Sequence, residues 1–425
     1  MSSEENNGYG REHSGFGLPC TTSADLRDTG GLISVAGIPH VSIDAKNPIL
    51  GDSTTSSLRS FVVIKNLGEG SFGSVFLCDW HGNLPHEVPP PSAIHVNGAA
   101  RGERIGMRLV AVKKLKRRWE DGWDECQRLK ELKALRALTP HPCVVPLYDV
   151  FLSCETSELY FVFEAMEGNL YRFMKARKGR PLATGLLSCI FQQMAAGLHH
   201  MHSSGYFHRD MKPENVLVTT TGLFDYRSPF SQPQLEAIEK TDAAVICKIA
   251  DFDSAREISS TPPYTEYVSA RWYRAPEVLL KQRDYSTPVD MWALGAIMAE
   301  LVNLKPIFPG SGEVDQINRI IKVLGDPADR GVDERGRHHG GGPWSHGLEL
   351  ARRLAFQFPQ TEPRNMYTIF DKQTPHRLVE CISDLLKFDP NLRLTSQQCL
   401  AHECLRECSP ENLPCILPVQ EIHSR

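Results

Sequence analysis

The residue pattern changes character once along the chain, near residue 165, and that change limits what the chain can fold into. From Phe61 onward FVVIKNL, SVFLCDW, MRLVAVKKL, VVPLYDVFL and ELYFVFE are β-branched and aromatic runs bounded by turn residues, which predicts five strands in succession. After the third, Trp123, Cys126, Leu129, Leu132, Leu135 and Leu138 recur every three residues among Glu and Lys until Pro140, which predicts one amphipathic helix. Beyond Asn169 the spacing is helical. Leu187, Ile190, Met194 and Leu198 share a face behind Thr184 as cap, and a helix from Thr287 carries Pro288 in its first turn and Asp290 as a capping carboxylate. A small β-rich unit ahead of a larger helical one predicts an α+β chain of two lobes with a cleft between them.

Residues 1–60, rich in Gly, Ser, Asn and Asp, are expected to form a flexible leader, residues 405–425 a short tail, and 81–106 and 220–245 loop insertions. Residues 331–342, with RHHGGG, read as a surface loop, mobile at His338 and His339. Hydrophobic residues at 41% and charged residues at 23% exclude wholesale disorder. With 47 Lys plus Arg against 51 Asp plus Glu, no global field recruits nucleic acid or an anionic membrane. The longest apolar run, residues 291–302, is shorter than the roughly 20 residues of a membrane span and contains Glu300. Twelve cysteines without a CxxC pair, and no basic or apolar start, lead to an expected reducing location, cytoplasmic or nuclear. Cys399, His402, Cys404 and Cys408 fit no standard zinc spacing and read as reduced thiols near a helix.

Four strings carry chemistry. Gly68, Gly70 and Gly73 form GxGxxG, but SVFL continues as a strand, so neither a dinucleotide nor a Walker motif fits; a hairpin over phosphates and a plain hairpin remain equally open. Lys113 closes VAVK and Glu131 lies on the following helix, as a surface pair or as a holder for a phosphate-binding ammonium. Then come His208-Arg209-Asp210-Met211-Lys212-Pro213-Glu214-Asn215, and Asp251-Phe252-Asp253 after ICKIA, with Ala275-Pro276-Glu277 further on.

In order and spacing these strings resemble the eukaryotic protein kinase family over residues 61–404. The resemblance implies a bilobal enzyme that transfers the γ-phosphate of ATP, with Mg2+, to Ser or Thr hydroxyls of protein substrates. It implies that the backbone of Gly68, Glu69, Gly70 and Gly73 covers the phosphates, and that Lys113, oriented by Glu131, pairs with them. Asn215 and Asp251 would ligate Mg2+, Asp210 would orient the hydroxyl, and Lys212 would support the γ-phosphate. Val75, Ala111, Phe163, Glu164, Met166 and Leu217 would surround the base, with Phe163 at the back of the pocket and Glu164 and Met166 in the hinge. PPYTEYVSARWYRAPEVLL, HRDMKPEN, GWDEC and FPGSGEVDQINRI are similar to the CMGC group, and within it to male germ cell-associated kinases and fungal inducers of meiosis. MAP kinases share TEY and RWYRAPE but usually lack Met after HRD, and rank second. The resemblance further implies Thr265 and Tyr267 as phosphosites with Arg209 and Arg271 as phosphate partners, an upstream kinase or autophosphorylation, a preference for Pro after the acceptor, a Glu277–Arg393 pair, and a monomer.

Three positions depart from the family pattern: Asp253 stands for glycine, Ala270 for threonine and Leu394 for proline. Asp253 adds a carboxylate near the metal site, and three outcomes stay open there: backbone strain, because glycine alone adopts unusual φ/ψ without cost, metal drawn from Asp251, or a carboxylate settled on a hydrogen-bond partner. The first two departures keep an alternative open, an ATP-binding pseudokinase scaffold without turnover.

Overall fold

The computed structural model describes residues 30–44, 47–50, 54–70, 72–82, 107–221, 244–264 and 271–406. The β-rich lobe holds β1 (Leu32–Ile38), a small β2 (Val41–Asp44) and β3 (Asn47–Leu50) hairpin, β4 (Ser57–Glu69), β5 (Gly73–Trp80), β6 (Leu109–Arg118), β7 (Leu147–Ser153) and β8 (Glu158–Glu164). These close into a barrel in the order β1-β4-β5-β6-β8-β7. Its interior is aromatic: Phe61 and Trp80 stack at 5.6 Å, and Phe151 and Tyr160 at 5.0 Å. Buried Arg59 ties three strands by donating to Asp149 Oδ2 at 3.1 Å and to the carbonyls of Gly37 and Pro39 at 2.6 Å each.

The expected flexible leader is therefore corrected over residues 32–38. β1 pairs along β4 and closes on Leu152 and Ser153 of β7. In LISVAGI only Ile33 and Gly37 are buried, so the strand shows no alternation. Gly37 is needed because a Cβ there would lie 2.6 Å from the Phe151 ring.

The expected single helix after β6 is two pieces, α1 (Trp123–Cys126) and α2 (Lys130–Ala137), separated where Leu129 takes ψ 128°. Three residues advance a helix by about 300°, so a strict three-residue repeat drifts by about 60° per step and cannot stay on one face. The break lets Trp123 and Cys126 bury from one piece and Leu132 and Leu135 from the other.

The helical lobe begins with β9 (Gly168–Asn169) and α3 (Leu170–Ala176), where Asn169 caps Arg172 N at 2.9 Å. α4 (Thr184–Ser203) buries Leu187, Ile190, Met194 and Leu198 as expected, but the side chain of Thr184 does not cap it. β10 (Tyr206–Phe207) pairs with β13 (Arg256–Glu257), and β11 (Val216–Thr221) with β12 (Ala244–Ile249). α5 (Pro276–Leu279), α6 (Pro288–Asn303), α7 (Glu313–Leu324), α8 (Ser345–Arg353), α9 (His376–Leu385), α10 (Ser396–Leu400) and α11 (Glu403–Arg406) follow. Every residue of α6 from Val289 to Leu301 is buried, which makes it the axis of this lobe. Glu277 and Arg393 form the expected buried pair, two bonds of 2.6 Å. Residues 331–342 are pinned rather than free: Lys387 Nζ donates to His338 O at 2.9 Å and Gly340 O at 3.0 Å. No helix among the described residues is long and apolar enough to cross a membrane. The tail from residue 407 and the interiors of both insertions lie outside the described residues.

Candidate active site

β4 and β5 meet at the glycine hairpin. A Cβ on Gly73 would sit 2.3 Å from Lys114 O of β6, so close packing of the chain itself requires that glycine. Gly68 and Gly70 differ. Neither has a positive φ, a Cβ on Gly68 would meet nothing within 4 Å, and one on Gly70 only Gly73 O at 3.8 Å. Among the described residues no contact demands glycine at these two positions, which leaves open space for an incoming group beside exposed Glu69. Strand register puts Val75 opposite Lys113 and Ala111 opposite Phe163, so all four share one face of the sheet, and all are half-buried. Leu217 of β11 is half-buried as well. The side chains of Glu164 and Met166 turn inward: Glu164 pairs with Lys248 of β12 in a buried ion pair, and Met166 Sδ accepts from the Thr219 hydroxyl at 3.6 Å.

The Lys113 ammonium is the centre of charge. It donates to Glu131 Oε1 at 2.7 Å and to both oxygens of Asp253 at 3.1 Å, with Asp251 Oδ1 3.8 Å away. Burial alone favours the neutral amine, but Glu131, Asp253 and Asp251 together hold its pKa above the ordinary lysine value. The same crowding acts on the acids. Burial first, then the neighbouring Glu131, push the Asp253 carboxyl up to about 7, and burial with the Asp253 charge raises Asp251 despite Lys113. Glu131 is 1% exposed.

Backbone strain at Asp253 is not found. Asp253 lies inside a single 3-10 turn, Phe252–Ser254, and it is Asp251 that takes the left-handed conformation, φ 69°. Asp253 instead spends its carboxylate on Lys113.

Asp210 is held from two sides. Its Oδ2 accepts from Lys212 Nζ at 2.6 Å and Asn215 Nδ2 at 3.2 Å, while its Oδ1 is buried with no partner among the described residues. Asn215 Nδ2 also donates to Asp210 O at 2.8 Å, which turns the amide oxygen of Asn215 away from that loop. The loop hangs on Asp290, whose two oxygens accept from His208 N and Arg209 N at 2.8 Å each; His202 Nε2 lies 2.9 Å from Oδ2. The expected cap of α6 is therefore corrected: Asp290 binds the backbone of residues 208–209. His208 packs against buried Phe252 with centroids 5.6 Å apart.

Arg209 donates to the Tyr285 hydroxyl at 2.8 Å and lies over the Tyr264 and Tyr285 rings. Two more cations share its surroundings. Burial, then Arg256 and Arg209, lower the pKa of Lys130, and burial, then Arg209, lower that of Arg256. Arg271 makes a different contact, donating to Ser311 O at 3.0 Å. Thr265, Tyr267 and Ala270 lie outside the described residues. Sequence reasoning missed Lys130, Lys248 and Asp290 as site elements. Only Lys248 left a signal, a lone cation inside the apolar strand ICKIA, which demands a buried partner.

An oxygen-only donor set, Asp251 with a side chain 38% exposed and the outward amide oxygen of Asn215, suits a hard divalent cation. The open hairpin at Gly68 and Gly70, together with a shared-face lysine, suits a polyphosphate.

A two-lobed α+β fold with this lysine, glutamate and paired-aspartate arrangement defines a phosphoryl-transfer class, and the chain belongs to the protein kinase domain family, matched over residues 102–405. It is 37% identical to a probable serine/threonine-protein kinase of Dictyostelium discoideum over 84% of this chain and 58% of that protein. Serine/threonine-protein kinase MAK of Homo sapiens is 37% identical over 81% of this chain and 45% of its own. Cyclin-dependent kinase F-3 of Oryza sativa subsp. japonica is 39% identical over 81% of this chain and 65% of its own. These relatives place the chain among CMGC kinases related to male germ cell-associated kinase. The chain spans between 45% and 65% of their lengths.

Proposed function

We propose that this chain is a serine/threonine protein kinase that uses MgATP and acts on protein substrates. The observation that carries the reading is Asp210: one oxygen is fixed by Lys212 and Asn215, and the other is a buried acceptor without a partner among the described residues. That arrangement suits a group waiting to take a hydroxyl proton. When bound, ATP and its divalent cation supply the phosphoryl group and the neutralisation of its charge. Lys113 steadies the α- and β-phosphates, and Glu131 keeps its ammonium from swinging away. The glycine hairpin covers the phosphates with backbone N–H groups. Asp251 and Asn215 would hold the cation, and Ala111, Val75, Phe163 and Leu217 would enclose the base, with the backbone near Glu164 and Met166 as the hinge. Asp210 Oδ1 aligns the substrate hydroxyl and accepts its proton as the new P–O bond forms and the bond to the β-phosphate oxygen breaks. Lys212 offsets charge on the moving phosphoryl group.

Phosphorylation of Thr265 and Tyr267, by an upstream kinase or by the chain itself, activates it; a phosphate of about −1.5 to −2 charge would relieve the mutual repulsion of Lys130, Arg209 and Arg256. Arg271 shapes the pocket beyond the acceptor, giving a preference for proline there. The chain acts as a monomer in the cytoplasm or nucleus, without nucleic acid or membrane as partner.

A second reading, an ATP-binding scaffold without turnover, is favoured by the Asp253 carboxylate on Lys113, where it competes with phosphate. A degenerate peptide library with labelled ATP separates the two. The kinase reading expects label on Ser and Thr peptides, most of all those followed by Pro. Saturable ATP binding with no labelled peptide supports the scaffold.

A further inference from the structure

Four soft or borderline donors converge at the base of the helical lobe, far in sequence from the catalytic strings. Cys381 of α9 and Cys399 of α10 are each 0% exposed, Cys404 of α11 is buried, and His402 between the last two helices is half-buried. A ligand atom from each of Cys381, His402 and Cys404 lies within 4.8 Å of the other two. The Cys381 thiol also contacts the Cys399 thiol, and the Cys404 thiol contacts the His402 ring.

Short backbone links keep the group together. Cys399 N donates to Thr395 O at 2.8 Å and His402 N to Cys399 O at 3.2 Å; Cys404 N also donates to His402 Nδ1 at 3.2 Å, a bond given up when the ring's electron pair goes to zinc. The linear spacing of Cys399, His402 and Cys404 gives no zinc pattern by itself, because one member, Cys381, comes from a separate helix.

We propose that Cys381, Cys399, His402 and Cys404 form a Cys3His zinc site that fastens α10 and α11 to α9. Zinc bound at about 2.3 Å from sulfur sets tetrahedral edges of about 3.8 Å, so the separations up to 4.8 Å among Cys381, His402 and Cys404 close by side-chain shifts of about 1 Å, and Cys399, whose thiol contacts that of Cys381, turns in to complete the set. Three thiolates and an imidazole reject hard cations such as Mg2+ and Ca2+. Four protein donors leave no open position, so the site is structural rather than catalytic. Binding of Zn2+ expels the thiol protons to solvent as the Zn–S bonds form. Buried cysteines often pack only as small apolar groups. Here, however, an imidazole contacts the Cys404 thiol, which apolar packing does not call for.

The test is metal content by elemental mass spectrometry of the full chain purified without chelator and dialysed against Zn2+. About one zinc per chain is expected, with occupancy lowered about tenfold or more in Cys404→Ser and His402→Ala. Cys154→Ser, at an exposed free cysteine, should keep the metal. Because Cys381→Ser puts a hydroxyl in the core and risks unfolding, Co2+ substitution in the unaltered chain provides the second readout, an intense thiolate-to-cobalt absorption band. Folded wild-type chain that takes up no zinc overturns the proposal, as do equal zinc contents in Cys404→Ser and wild type, or a Cys381–Cys404 disulfide found by peptide mapping.

Discussion

Asp253→Asn keeps the shape of the side chain and removes one of the three carboxylates around Lys113 Nζ. Glu131 at 2.7 Å and Asp251 at 3.8 Å remain, so the ammonium keeps partners while the group goes from three carboxylates against one cation to two against one. The folded chain holds the Asp253 proton to about pH 7, whereas an unstrained aspartate releases it near 3.8. Between those values the folded state binds the extra proton, so stability falls as pH rises through the window and is lowest above 7. The rise from 3.8 to about 7 sets an upper bound of about 4 kcal/mol, and relaxation of the site brings the expected figure to about 1–2 kcal/mol. The asparagine variant lacks this penalty. In thermal unfolding without nucleotide or divalent cation, it should melt about 2–8 °C higher at pH 8, with the gain shrinking as pH is lowered through the window and vanishing below 3.8. A melting difference that does not change with pH refutes the reasoning. So does a variant less stable than wild type at pH 8, since the bond to Lys113 would then outweigh the crowding.

Arg393→Ala strands the Glu277 carboxylate in the core and should cost about 3–5 kcal/mol, read as a melting loss of about 6–20 °C. Asp290→Ala unhooks the amides of His208 and Arg209; about 2–4 kcal/mol of stability should be lost and turnover should fall further than stability explains, which denaturant titration beside a rate assay resolves. Thr265→Ala combined with Tyr267→Phe should lower phosphoryl transfer by about tenfold or more, checked against mass-spectrometric phosphorylation of the active wild-type chain; full activity in the double variant contradicts loop activation.

The strands and the long core helices were legible because each repeats its apolar spacing over many residues. β1 was not, since its role depends on Gly37 clearing the Phe151 ring and on Arg59 reaching across to Asp149, contacts distant in sequence. The break between α1 and α2 was present in the strict three-residue repeat but reads as a helix unless its angular drift is summed. At the site, Lys113 with Glu131, and Asp210 with Lys212 and Asn215, meet as their strings imply. Asp290 was misread because its position in the first turn of α6 satisfies a local rule, while the groups it binds lie 81 and 82 residues away. Asp253 was recognised as a departure, but its consequence is electrostatic rather than conformational: the 3-10 turn accommodates any residue there, and the carboxylate lands on Lys113.

The most direct measurement is label transfer from γ-labelled ATP to a Ser/Thr-Pro peptide by the wild-type chain phosphorylated at Thr265 and Tyr267, beside Asp210→Asn, with nucleotide affinity determined for both. The account predicts transfer by wild type, a loss of about 10^2 to 10^4 in the variant, and ATP binding nearly unchanged. Equal transfer by the two chains, or ATP bound by wild type with no transfer at all, would contradict it.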